Sequence, residues 1–217
     1  MKDYSTYVFD LDGTLIDTIG DLAAAVNHSL ILNGLEPRSE KEVLGFVGNG
    51  VQRLMELAIY DGREIEFDQA FFDKVFLEFK TYYKAHSMDL SRPYEGIPEL
   101  INELRCRDKA MAVVTNKMQE AAEDIVRTFF GDIFSAVVGD NPSLRRKPAP
   151  DMVDEALRRM GRTKEDTVYI GDSDVDLATA RNSGLPCISV LWGFRTRSFL
   201  ESVGADCLVE KPSEILV

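Results

Sequence analysis

The chain has 217 residues, 45% hydrophobic and 29% charged, enough for one good-sized domain or a domain carrying an insertion. A formal net charge of −12 argues against nucleic acid or an anionic membrane surface as a partner, yet allows a small anionic substrate held by local cations or a metal. No basic-then-apolar leader opens the sequence, and no apolar run approaches the roughly 20 residues that cross a bilayer, so a cytoplasmic protein is expected.

The first apolar run is YVFDL (7–11), and it ends on two aspartates, Asp10 and Asp12, followed by Gly13 and Thr14. From about 18 to 88 the pattern is helical. In DLAAAVNHSLILNG, Leu22, Val26 and Leu30 recur at helical spacing, and Gly34 suits a C-terminal cap. Gly48, Asn49 and Gly50 open an amphipathic helix with Arg53 one turn in, and exposed N–H groups at such a start can bind an anion. Phe71, Phe72, Val75, Phe76 and Phe79 form an apolar stripe that reads as core. Pro93 and Gly96 break the return linker.

Beyond it, short runs that are continuously apolar alternate with helical stretches. The runs are MAVVTN (111–116), SAVVGD (135–140), DTVYIGD (166–172), PCISVLW (186–192) and ADCLV (205–209), and the helices fall near 96–107, 118–130, 150–161 and 174–184. This is the signature of strands buried on both faces of a parallel sheet. The expected architecture is α/β: a Rossmann-like, three-layer core with a parallel sheet from 1–16 plus 91–217, interrupted by an all-helical domain at 17–90.

Ligands of open parallel sheets bind outside the carboxyl ends of the strands. The polar residues there are Asp10 and Asp12 after the first run, Thr115 and Asn116 after the second, and Asp172, Asp174 and Asp176 in GDSDVD. Three or more carboxylates converging on one crevice require a cation, and oxygen ligands without clustered His or Cys select Mg²⁺. An EF-hand loop is excluded, because Leu177 stands where it needs Gly and Ser183 where it needs Glu. Ser173 and Asp174 are accounted for by capping of the helix that follows, whereas Asp172 directly ends the run VYIG.

In so acidic a chain, Lys147 stands out within LRRKPAPD, held extended by Pro148, with a helix able to start at Pro150. It is a natural counter-charge for a phosphate, while Arg145 and Arg146 read as surface residues. His28 and His86 lie far apart in sequence and read as solvated or packing side chains. Cys106, Cys187 and Cys207 are odd in number and form no CxxC pair, so no disulfide framework is expected.

Taken in order, FDLDGTLID, VVTNK, RKPAPD and GDSDVD resemble the four motifs of the haloacid dehalogenase-like hydrolase superfamily, and the helical insert is similar to the cap domain of its first subclass. The resemblance implies that Asp10 is the nucleophile, forming an aspartyl-phosphate, and that Asp12 protonates the leaving oxygen and then activates water. It implies Mg²⁺ held by Asp10, the backbone carbonyl of Asp12 and Asp172, with Asp176 assisting directly or through water. Thr115, Asn116 and Lys147 would hold the phosphoryl oxygens. An acid at Asp12 separates the chain from true dehalogenases, which resemble it but lack one there. DLAAAVNHSL, the Gly48–Arg53 stretch and WGFRTRSFL look like bacterial phosphoglycolate phosphatases, so a small phosphate monoester, most of all 2-phosphoglycolate, is the expected substrate. Its carboxylate would suit Gly48, Asn49, Gly50 and Arg53. A β-phosphoglucomutase-like phosphomutase, a pyrophosphatase or nucleotidase of the same superfamily, and a non-catalytic phosphate-responsive module are the alternatives. The chain is expected to act as a monomer or homodimer.

Overall fold

The structure, a computed structural model, describes residues 2–216. Strand β1 (Thr6–Phe9) is buried along its whole length and is followed by the two-residue strand β2 (Ile16–Asp17). Four helices come next: α1 (Ile19–Leu32), α2 (Glu40–Phe46), α3 (Gly50–Tyr60) and α4 (Gln69–His86). After β3 (Arg92–Pro93) and α5 (Ile97–Cys106), β4 (Ala110–Met118) leads into α6 (Gln119–Phe130) and β5 (Ala136–Asp140). The chain then alternates through α7 (Asp151–Met160), β6 (Thr167–Gly171), α8 (Asp174–Ser183), β7 (Cys187–Val190), α9 (Arg197–Ser202) and β8 (Leu208–Val209). No helix among the described residues is long and apolar enough to cross a membrane.

The chain divides into two compact units: the stretch up to Asp17 together with that from Pro93 onward, and Thr18–Arg92. The first holds a six-stranded sheet in the order β5-β4-β1-β6-β7-β8, and every pairing in it is parallel. Beginning from β1, the chain builds outward to β4 and β5, then returns to β6 on the other side of β1. That reversal makes the carboxyl ends of β1, β4 and β6 the crevice of the sheet. Helices flank the sheet because its strands have two apolar faces. On one face Val8, Val114, Val138 and Tyr169 pack with Met152, Val153 and Leu157 of α7 and Ala180 of α8. Burying such side chains contributes roughly 1.5–3 kcal/mol each.

The second unit is four helices with no strand wholly inside it. The apolar stripe of α4 buries Phe72, Val75, Phe79 and Tyr83, while Phe71 and Phe76 are half-buried at its edges. Ser39 and Glu42 form a reciprocal capping box that starts α2, and the Asp68 carboxylate accepts from the N–H groups of Ala70 and Phe71 to start α4. Asp21 is buried within this unit. Its carboxylate accepts from Leu90 N, Ser91 N and Ser91 Oγ at 2.9, 2.8 and 2.6 Å, tying the first helix of the unit to its last segment. His28 and His86, distant in sequence, both stack on one ring, that of Tyr82, at 4.0 and 4.3 Å between centroids.

Candidate active site

Asp10 directly follows β1, and its N–H continues the ladder by donating to Ile170 O at 2.9 Å. The chain then turns sharply. Gly13 has φ +84°, its N–H donates to Ile16 O, and a Cβ there would lie 2.5 Å from Asp172 Oδ2. The glycine therefore lets the backbone of this turn press against the Asp172 carboxylate.

Carboxylate oxygens of Asp10, Asp172 and Asp176 lie within 4.8 Å of one another, and all three residues are buried. Lys147 Nζ enters this cluster at 2.8 Å from Asp10 Oδ1 and 2.8 Å from Asp176 Oδ1. The Asp10 contact is a close ion pair without hydrogen-bond alignment, which leaves Oδ1 as a buried oxygen lacking an aligned donor. Asp172 is held differently, accepting from Thr14 Oγ1 at 3.0 Å through Oδ1 and from Phe194 N at 2.8 Å through Oδ2. Gly193, next to Phe194, has no room for a side chain: a Cβ would sit 2.2 Å from Gly13 O and 2.3 Å from Asp172 Cβ.

The electrostatics follow from this crowding. Burial, then the charge of Asp176, holds the Asp10 carboxyl well above the usual carboxylate range, with Lys147 opposing them. Burial and Asp176 likewise push Asp172 up to about 7, against the pull of Phe194 N–H and Thr14. For Lys147, burial acts to discharge the amine, but Asp10 and Asp176 overcome it and hold the ammonium above its ordinary range. One ammonium, that of Lys147, stands among three carboxylates, so ionised acids here are short of positive charge, and the carboxylate donor set is all oxygen. That set suits a hard divalent cation, which would stabilise the ionised carboxylates.

Strand β4 supplies the other wall. Its pairing with β5 runs to Val114↔Val138 and resumes only at Met118↔Asp140, so Thr115, Asn116 and Lys117 face a single partner residue. Thr115 and Asn116 therefore lie inside β4 rather than beyond its end, as the sequence pattern had placed them. The bulge explains how in-strand residues can be aimed at a strand-end site. Thr115 Oγ1 accepts from Lys117 N at 3.2 Å. The Asn116 amide makes two bonds to the Lys147 backbone, donating to its O at 3.1 Å and accepting from its N at 2.9 Å. Its side chain holds the Lys147 loop.

Asp176, expected to assist the metal directly or through water, stands in the acidic cluster with both oxygens hydrogen-bonded. Oδ1 accepts from Lys147 Nζ and from Tyr169 OH at 3.0 Å, and Oδ2 accepts from Ser173 N at 3.1 Å and Ser173 Oγ at 2.6 Å. Proximity alone makes it a member of the acidic cluster, but four donors already occupy its two oxygens. Ser173 caps α8, and Asp174 sits outside the cluster, 3.5 Å from Arg195 Nε. Arg145 and Arg146 pair with Asp151 and Asp140 on the surface.

Sequence reasoning passed over three contributors. Lys117 is buried with Nζ 2.8 Å from Asp12 Oδ1, and its signal was its place directly after Thr115 and Asn116. Thr14, the residue after Gly13, supports Asp172. Tyr169 joins Lys147 to Asp176 from inside the sheet, flagged only by being the one polar-tipped side chain in VYIG.

In the helical unit, Asn49 precedes α3 with no side-chain cap, and Gly48 and Gly50 have φ of +124° and +83°. Arg53 is exposed, with Nη1 3.1 Å from Glu56 Oε2. Its guanidinium is engaged within its own helix.

The family model described as haloacid dehalogenase-like hydrolase matches residues 7–190. A phosphoglycolate phosphatase of Chromobacterium violaceum is 31% identical over 216 residues, covering 99% of this chain and 96% of that protein. Among solved structures, a candidate phosphoglycolate phosphatase from Lactobacillus delbrueckii subsp. bulgaricus superposes with TM-score 0.90 at 33% identity, covering 99% and 97% of the two chains. A predicted phosphoglycolate phosphatase from Haemophilus somnus gives TM-score 0.91 at 27% identity, covering 100% and 98%.

Proposed function

This chain belongs to the haloacid dehalogenase-like hydrolase family, and from that premise we propose that it hydrolyses small phosphate monoesters, 2-phosphoglycolate first among them, through an aspartyl-phosphate on Asp10. One observation carries the reading: Asp10 and Lys147 form a buried ion pair at 2.8 Å, with Asp12 two residues on. A carboxylate at a strand end beside a fixed cation is placed to attack an anionic phosphorus. The relatives' names supply the substrate class.

In this reading an Asp10 oxygen bonds to phosphorus as the bond to the ester oxygen breaks. Asp12 gives its proton to the departing alkoxide, releasing the alcohol. Asp12, now ionised, takes a proton from a water that attacks the same phosphorus, and the Asp10 carboxylate leaves with inorganic phosphate released. Lys147 and Thr115 hold the phosphoryl oxygens, and Asn116 holds Lys147. Mg²⁺ would be held by Asp10, Asp172 and the Asp12 carbonyl; when bound it supplies positive charge against the repulsion between carboxylate and phosphate. Asp176 acts from behind, through Lys147. The helical unit acts as the cap that selects the substrate, with Gly48–Arg53 as its candidate contact for a second anionic group.

The test is phosphate release with and without Mg²⁺ from 2-phosphoglycolate, sugar phosphates, nucleotides and pyrophosphate. Release that is Mg²⁺-dependent and fastest with phosphoglycolate is the expected result. No release from any of them would sink the hydrolase reading. Interconversion of β-glucose 1-phosphate and glucose 6-phosphate without free phosphate would replace it with the phosphomutase.

A further inference from the structure

Tyr169 is fully buried in β6, and the chemistry described above leaves its hydroxyl without a role. That hydroxyl lies 3.1 Å from Lys147 Nζ, 3.0 Å from Asp176 Oδ1 and 3.4 Å from Val114 O. A phenol has one proton and two lone pairs. With the proton on the shorter, charge-assisted bond to Asp176, the oxygen accepts from Lys147.

Three oxygens surround the Lys147 ammonium: Asp176 Oδ1 and Tyr169 OH accept its N–H groups, and Asp10 Oδ1 lies 2.8 Å away as an ion-pair partner without hydrogen-bond alignment. One aligned acceptor leaves the ammonium free to swing about that single bond, and a second fixes its direction. The second acceptor, Tyr169, is neutral, so it adds aim without adding a further carboxylate to an already acidic cluster. Burial, then the charge of Asp176, raises the Tyr169 phenol well above its ordinary range, which keeps the proton in place. The backbone of Lys147 is fixed separately by Asn116.

We propose that Tyr169 is a positioning residue for phosphoryl transfer: as the second aligned acceptor of the Lys147 ammonium, beside Asp176, its hydroxyl holds that cation next to the Asp10 carboxylate. The proposal rests on reading Asp10 as the nucleophile and Lys147 as its phosphoryl-holding partner.

Tyr169→Phe removes one oxygen and keeps the ring. The measurements are kcat and KM for the best substrate, the Mg²⁺ activation constant, the inhibition constant of orthovanadate and the melting temperature. Expected are losses of about tenfold in kcat and in vanadate affinity, the size of one buried hydrogen bond. The Mg²⁺ activation constant should stay within about twofold, because the Asp172 supports are untouched. A purely structural tyrosine would lower the melting temperature and leave kcat and vanadate binding unchanged below it, which would overturn the proposal. An equal loss of Mg²⁺ affinity would also overturn it, by routing the effect through the acidic cluster. If the Phe chain does not fold, Tyr169→Met, also without the hydroxyl, is measured in the same way; failure of both makes the hydroxyl a folding determinant and the proposal wrong. A wild-type protein that turns over nothing brings down the hydrolase reading itself, whereas an active wild type matched by its Phe variant brings down only this inference.

Discussion

Lys117 Nζ lies 2.8 Å from Asp12 Oδ1, with the lysine side chain 2% and the aspartate side chain 16% exposed. This pair bridges the turn after β1 and the bulge of β4. A buried ammonium needs a partner, and the partner here is the acid assigned to move the proton. Each end therefore orders the other.

Lys117→Met should remove the ion pair that anchors the Asp12 carboxylate to β4. The expected loss in kcat is roughly tenfold or more on alkyl phosphates, below the ~10²–10⁴ of a lost general acid. Steady-state kinetics on one alkyl and one p-nitrophenyl ester check it. Equal losses on both would show that Lys117 acts on something other than the proton transfer.

Asp12→Asn removes the proton donor itself. Turnover of alkyl phosphates should fall about 10²–10⁴-fold. The p-nitrophenyl ester, whose leaving group needs little protonation, should lose much less at the first step. Burst kinetics with that ester should show the phosphoenzyme accumulating, since water activation also fails. Unchanged turnover of both esters would remove Asp12 from the mechanism.

Thr14→Val deletes the hydroxyl that donates to Asp172 Oδ1 at 3.0 Å. Supports of this kind typically contribute 10–100-fold to metal affinity. The Mg²⁺ dissociation constant, read by calorimetry, should rise by about that factor while the chain stays folded. A wild-type value would mean Asp172 does not hold the ion.

Asp172 is pushed up to about 7, chiefly by burial and Asp176, from an unfolded-state value of about 3.9. Without metal, the folded chain keeps a proton between those values that the unfolded chain releases. The resulting stability is fully present below about pH 4 and is lost as pH rises to about 7. Mg²⁺ needs the ionised form, so its binding should release protons and its stabilising effect should grow from about pH 5.5 to 8. Melting curves with and without Mg²⁺ across that range test the sign. A thermal shift that shrinks with rising pH would contradict it.

Gly193→Ala would bring a Cβ to 2.2 Å from Gly13 O and 2.3 Å from Asp172 Cβ. The neighbours are backbone and a fixed side chain, so the turn must shift. Overpacking of this kind costs about 1–3 kcal/mol, and Mg²⁺-dependent activity should fall with it. A denaturant midpoint and activity equal to wild type would show that the turn yields freely.

Much of the core was legible because its signals are local. Continuously apolar runs marked the strands, helical periodicity marked α1 and α4, and the acids stood at strand ends, where a parallel sheet gathers its ligands. What escaped was non-local or hidden in a short irregularity. Thr115 and Asn116 read as post-strand residues because nothing in MAVVTNK announces a bulge; only pairing with β5 creates it. His86 stands one helical turn from Tyr82 within α4, a local contact, whereas His28 reaches the same ring only because α4 packs alongside α1.

Sequence alone determined the chemistry available: which side chains carry charge, which runs must be buried, and which residue types end each strand. Those are properties of composition and period. Tertiary structure decided the assignment of partners. Asn116 serves Lys147, Asp176 is already bonded to Lys147, Tyr169 and Ser173, and Lys117 reaches Asp12 across 105 positions of sequence. The reason is that hydrogen bonds and ion pairs are short-ranged and directional. A residue's type states what it can bond, and only the folded chain states which groups come within 3 Å of it.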